Sequence, residues 1–139
     1  LHPAGSLGAQ LKTVEDIMIT GNKIPFVNEN LSVDKALKIL SLKKLGFLVV
    51  RDKNKKTNGI ITDGQIRRLN EKNFNFHSLP VKKIMTKKPI TIDKNELAAK
   101  ALSIMNTKKI TSLIVNKKKK STTTIGIVHI HTILESNIS

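Results

Sequence analysis

The order of apolar and polar positions occurs twice along this chain, and a repeat of this kind sets the unit of folding before any single site is considered. Val14-Glu15-Asp16-Ile17-Met18 and Val81-Lys82-Lys83-Ile84-Met85 both read Val-x-x-Ile-Met, 67 residues apart. Each leads through a short loop to a proline, Pro25 or Pro89, and then into a brief extended segment. A helix is predicted next in each half. Val33, Ala36, Leu37 and Leu40 fall on one face of the first, and Ala98, Ala101, Leu102 and Met105 on one face of the second. That spacing is the stripe of a helix buried on one side. Ser32 is placed to cap the first helix, and Asp93 with Glu96 forms a capping box for the second.

Lys43-Lys44 and Lys108-Lys109 close the two helices and introduce apolar runs, Leu45 to Val50 and Ile110 to Val115. Runs this short and this rich in Leu, Val and Ile read as buried strands. Polar turns, 51–58 and 116–124, lead to second strands beginning at Gly59 and Gly126. Closing helices are predicted from Asp63 to Lys72 and from Ile130 to Glu135. Each half is therefore strand, helix, strand, strand, helix. The expected division is a tail over 1–13, a first repeat over 14–72, a connector over 73–80 and a second repeat over 81–139. Phe74, Phe76 and Leu79 make the connector a packed segment. One repeat is too small to bury its sheet well, so two copies are expected face to face around a shared core, with clefts where they meet.

Composition narrows the function. No cysteine is present, which excludes disulfide frameworks and thiolate metal sites and fits a cytoplasmic location. No apolar run reaches membrane-spanning length. The first residues lack the form of a signal peptide, and a start at Leu1 reads as a piece of a longer protein. The net charge is +15, yet aromatic residues make up 3% with no Trp or Tyr. The stacking platforms of nucleic-acid binders are thus nearly absent. The lysines are dispersed and accompanied by Ile and Asn, as AT-rich coding produces, so nucleic acid is an unfavoured partner.

The two Val-x-x-Ile-Met openings, with Gly59-Ile60-Ile61-Thr62 continued by Asp63-Gly64-Gln65-Ile66, resemble a tandem pair of CBS domains (a Bateman module) over about residues 14–136. The resemblance implies an α+β fold, tandem CBS domains related by a pseudo-two-fold axis, with two small sheets and flanking helices. His2-Pro3-Ala4-Gly5-Ser6-Leu7-Gly8 is similar to the segment ending the sugar isomerase domain of bacterial arabinose 5-phosphate isomerases, where a CBS pair follows. Phe47 to Val50, Thr62-Asp63-Gly64 with Arg67-Arg68, and Ile110-Thr111-Ser112 also look like that family. It implies a parent enzyme acting in Kdo and lipopolysaccharide biosynthesis, with its own isomerase domain as partner. His2 would be catalytic in that parent only, and this chain alone is expected to be no enzyme.

The resemblance marks as ligand-binding Thr20, Pro25, Gly46, Phe47, Thr62, Asp63, Gln65, Arg68, Thr86, Lys87, Ile110, Thr111, Ser112, His129, His131 and Thr132. Locally, Thr62-x-x-Gln65 is a capping box, and free N–H groups at a helix start attract phosphate. In nucleotide-binding CBS proteins the place of Gln65 is commonly an acid that grips ribose hydroxyls; here it is neutral, and Thr132 stands there in the second half. Arg67 and Arg68 are two of three arginines in the chain, and guanidinium is the better fork for phosphate. His129 and His131 would share a face in a strand, as metal ligands do, but polar residues at a helix start account for them better, and no metal is expected. Met18, Met85 and Met105 read as packing. No cofactor is expected. The preferred reading is a homodimeric regulatory module sensing a small anionic metabolite, CMP-Kdo or another nucleotide. The alternatives are a purely structural oligomerisation role and a basic nucleic-acid-binding domain.

Overall fold

The computed structural model describes residues 7–138. In chain order the elements are α1 (Leu7–Gln10), α2 (Val14–Ile17), β1 (Phe26–Asn28), α3 (Val33–Lys43), β2 (Phe47–Arg51), β3 (Thr57–Thr62), α4 (Asp63–Glu71), β4 (Thr86–Lys87), β5 (Thr91–Ile92), α5 (Ala98–Lys108), β6 (Ser112–Asn116), β7 (Thr124–His129) and α6 (Ile130–Glu135). Single 3-10 turns occupy Gly21–Lys23 and Val81–Lys83. The chain is α+β and divides into two compact units. One is Ile24–Pro89; the other joins Ile90–Ser139 to the segment ending at Lys23.

In the unit Ile24–Pro89 the sheet order is β1-β2-β3-β4. β1 runs parallel to β2, while β3 and β4 are antiparallel to their neighbours. Alternate residues of the central strands, Leu48, Val50 and Ile61, meet the stripe Val33, Ala36 and Leu40 of α3 in one core with Ile66, Phe76, Val81 and Ile84. Ser32 caps α3 as expected, its Oγ accepting from Lys35 N at 3.4 Å. Lys44 ends the helix in the left-handed region, φ 56°. Phe76 is fully buried in the connector, but Phe74, expected to pack, is half exposed.

The other unit repeats this plan. β5, β6 and β7 form its sheet in that order, and Val115, Val128 and Leu113 pack with Ala98, Ala101, Leu102 and Met105 of α5. Where the first unit has β4, here Ile19 bridges Ile127. The expected capping box of α5 is not formed. The helix begins one turn later, at Ala98 with Leu97 at the N-cap and no side-chain cap, because Asp93 turns back to accept from Asn95 N at 2.7 Å. The counterpart of Pro25 is Ile90 and not Pro89: Pro25 O accepts from Val49 N at 2.9 Å, and Ile90 O from Ile114 N at 3.0 Å.

The sequence repeat and the compact unit are different cuts of the chain. Val14 and Ile17 lie in the core of the unit formed by Ile90–Ser139, and Val81 and Ile84 lie in the core of Ile24–Pro89. Each Val-x-x-Ile-Met motif therefore completes the unit containing the other repeat's strands. The methionines explain the recurring glycines. A Cβ at Gly59 would stand 2.7 Å from the Met85 sulfur, and one at Gly126 would overlap that of Met18. The motif's Met lies flat across the second strand only where the strand has no side chain.

Candidate functional site

In the unit Ile24–Pro89, the expected residues gather at the end of the sheet where β3 gives way to α4. Thr62 leaves the strand in extended geometry and caps the helix, its Oγ1 accepting from Gln65 N at 3.2 Å. The capping box is only half made. Gln65 does not reach back to Thr62; its Nε2 donates to the Ile84 carbonyl oxygen, and its Oε1 is buried with no hydrogen-bond partner. A buried acceptor left unpaired costs about 1–3 kcal/mol, and such groups are rare in folded proteins.

Beside it, Asp63 N donates to Gly46 O at 3.0 Å. Gly46 has φ 79°, a backbone conformation that favours glycine, and a Cβ there would stand 3.2 Å from Asp63 Oδ2, a tight contact. Phe47 pairs with Thr62 across β2 and β3 and is buried, as is Pro25. Arg67 and Arg68 fold back over Gly64: their terminal nitrogens lie 3.9 and 3.4 Å from where a Cβ would stand. Two guanidinium groups and the positive end of α4 outnumber the single carboxylate of this first turn, Asp63, and the local balance of charge is positive.

The other unit places Ser112 opposite His129 at the matching end of its sheet, and Ile130 N donates to Thr111 O at 2.9 Å. His129 is the N-cap of α6. Its Nδ1 accepts from His131 N at 3.2 Å, which puts the neutral ring's proton on Nε2. Because His131 already belongs to α6, the pair do not share a strand face; their rings meet edge to face, centroids 4.8 Å apart. His77 pairs with Asp34 in the unit Ile24–Pro89. Among the described residues no group of three His, Asp or Glu could hold a metal. Thr132 is half-buried at the first turn of α6, and Ile110 packs against its own unit's core.

The remaining expected residues lie on the segments that follow the two Val-x-x-Ile-Met motifs. Thr20 follows the Ile19 bridge and is exposed. Thr86 and Lys87 form β4 opposite Ile60 and Gly59, exposed at the sheet edge. His2 lies outside the described residues. Two features had not been anticipated. Thr13 and Asp16 form a complete capping box, legible as Thr-x-x-Asp before an apolar pair, and hydrogen bonds from the Thr13 backbone N–H and then its side chain hold the Asp16 carboxyl below its usual value of 3.8. The tie from Gln65 to Ile84 joins residues far apart in sequence and carries no local signal.

The CBS domain family matches residues 14–72 and 81–138. An uncharacterized protein of Rickettsia prowazekii is 37% identical over 99% of this chain, and arabinose 5-phosphate isomerase KdsD of Salmonella typhi 35% identical over 99%. The chain spans 42% and 41% of those two relatives. Among solved structures, the protein ATU1752 of Agrobacterium tumefaciens superposes with a TM-score of 0.81 at 19% identity, covering 96% of this chain and 99% of that one. The CBS domain pair of protein MJ0100, in complex with 5-methylthioadenosine and S-adenosyl-L-methionine, gives 0.77 at 25%, covering 90% and 94%. CBSX2 in complex with AMP gives 0.78 at 24%, covering 89% and 94%. No helix among the described residues is long and apolar enough to cross a membrane.

Proposed function

The chain belongs to the CBS-domain family as a tandem pair, and from that premise we propose that it is a regulatory module binding a soluble anionic nucleotide at the start of α4. The observation that carries this reading is the start of α4, where the guanidinium groups of Arg67 and Arg68 fold over Gly64 beside the first N–H groups of the helix. Arginines and a helix start together suit a phosphate. The ligands named for CBSX2 and MJ0100 are adenosine compounds, which supports the nucleotide class.

The finer reading is a nucleotide sugar acid, CMP-Kdo, acting as feedback signal for an attached cytoplasmic arabinose 5-phosphate isomerase. It rests on the similarity to KdsD and on neutral residues, Gln65 and Thr132, at both places where a ribose-gripping acid would stand. Exposed Leu42 and Leu134 support assembly as a homodimer. The experiment is a melting-curve series with AMP, ATP, CMP, CMP-Kdo and arabinose 5-phosphate on the wild-type chain and on Gln65→Leu and Arg68→Gln. At a hundredfold excess over its dissociation constant a ligand adds about 2.7 kcal/mol. The expected result is stabilisation by nucleotides, greatest with CMP-Kdo, that both substitutions diminish. Stabilisation by adenine nucleotides alone overturns the ligand choice; no shift with any compound leaves a purely structural module.

A further inference from the structure

We infer that the unit Ile24–Pro89 carries a second anion site, distinct from the start of α4, that takes a compact polyphosphate. An open pocket of about 490 Å³ lies beside β4, and Lys82, Lys83, Lys87 and Lys88 converge on it with Glu29 and Asn58. All four lysines are exposed. The ion pairs among the described residues are His77–Asp34, Lys94–Glu15 and Lys100–Glu96, so none involves these lysines. The pocket's acid is held by a neutral neighbour within the lining and by no lysine: Glu29 Oε1 accepts from Asn58 Nδ2 at 2.8 Å. Four ammonium groups therefore face one concavity with a single carboxylate already hydrogen-bonded.

The other repeat supplies an internal control. The backbone bond Lys82 N to Glu29 O, 3.0 Å, has its counterpart in Glu15 N to Lys94 O, also 3.0 Å. At these matched positions the charges of Lys82, Lys83 and Glu29 are reversed, and those of Lys87 and Lys88 are absent. Glu15 and Asp16 replace Lys82 and Lys83, Lys94 replaces Glu29, and Thr20 and Gly21 replace Lys87 and Lys88. There the charges are satisfied internally, Lys94 pairing with Glu15 at 3.6 Å and Asp16 accepting from Thr13 N at 2.8 Å. The fold accepts a self-neutralised arrangement at this place, so the uncompensated cluster is a property of this repeat's side chains. Ammonium groups act as mobile point charges without the planar fork of arginine, and several around one hollow suit successive tetrahedral phosphates better than a lone planar carboxylate.

The test is titration of tripolyphosphate into the isotope-labelled chain, followed by amide resonances at low and at raised salt. The expected result is saturable shifts confined to residues 82–88, Glu29 and Asn58, weakening with salt. Combined Lys82→Gln, Lys83→Gln and Lys87→Gln should weaken binding about tenfold, exposed charges each contributing modestly. Lys117→Gln, Lys118→Gln and Lys119→Gln together should leave it unchanged. Should the first triple variant fail to fold, Lys83→Gln alone is expected to weaken binding roughly twofold. Shifts centred on 117–120 or spread over all lysines, or unaltered binding in the Lys82, Lys83 and Lys87 variants, overturn the site. ADP compared with pyrophosphate identifies the source: equal affinity assigns the site to free polyphosphate, and tighter ADP binding at the same resonances to a nucleotide's phosphate tail. Nucleotide shifts at Gly46 and Thr62 would report on the α4 start separately, so either proposal can fail without the other.

Discussion

Gly46 precedes β2 and accepts from Asp63 N at the start of α4, and its backbone conformation disfavours a side chain there. Its φ of 79° is left-handed, and the Asp63 carboxylate stands 3.2 Å from the missing Cβ. Gly46→Ala is expected to destabilise the chain by about 1–2 kcal/mol from backbone strain alone, read as a lower denaturation midpoint. Unchanged stability would mean that the loop re-forms without cost. Thr13 and Asp16 allow a prediction in pH. Hydrogen bonds from the Thr13 backbone and side chain lower the Asp16 pKa, so the folded carboxyl titrates below the unfolded one. The capping contribution is complete above the unfolded value near 3.8 and is lost as pH falls through the lowered folded value. In Thr13→Val the Asp16 midpoint, followed by NMR, should rise towards the unfolded value, and the part of the acid-limb stability loss that Asp16 contributes should shrink.

At the scale of elements, the repeat itself suggests how to improve the protein. Ser32 and Leu97 are matched N-caps, but only Ser32 offers an oxygen to its helix; Leu97 is exposed and caps nothing. Leu97→Ser is expected to stabilise the chain by roughly 1 kcal/mol, measured by denaturant unfolding with an unchanged slope. The methionine-over-glycine contact predicts coupling. Gly126→Ala drives a methyl group into Met18 and should cost about 1–3 kcal/mol, while the double variant with Met18→Ala should cost clearly less than the sum of the two single changes. Additive costs would remove the packing explanation for the motif. These elements were largely legible because their signals are local: helical stripes, apolar strand runs and the Ser32 cap appear where expected. The Asp93–Glu96 box was misread because Asp93 bonds Asn95 within its own turn, two residues on, and such Asx turns compete with caps for the same residue types.

For the whole molecule, pattern and packing part company. The repeats of the sequence span 14–72 and 81–139, and the CBS family matches 14–72 and 81–138. No local feature of Val14-Glu15-Asp16-Ile17-Met18 reveals which sheet it completes, since both sheets offer a glycine and an apolar face of the same kind. The packing assigns it to the strands of the second repeat, and assigns Val81, Ile84 and Phe76 to those of the first. The candidate site was legible to the same degree: the helix starts and their residues follow from the motif, whereas the Gln65–Ile84 bond required the fold. This yields a prediction about autonomy. Residues 24–89 contain every member of the core built on Leu48, Val50 and Ile61, including Phe76, Val81 and Ile84. Residues 14–72 lack those three and retain Val14 and Ile17, whose partners are left behind. Losing three buried apolar side chains forfeits several kcal/mol, about 1.5–3 kcal/mol for each, against a total stability of similar size in so small a piece. The 24–89 piece should therefore show more native secondary structure and stronger amide-exchange protection than the 14–72 piece under the same conditions. Equal protection in the two, measured by hydrogen exchange, would mean that Val14 and Ile17 can replace Val81 and Ile84 on their own repeat's strands, and that the swap of opening segments is optional.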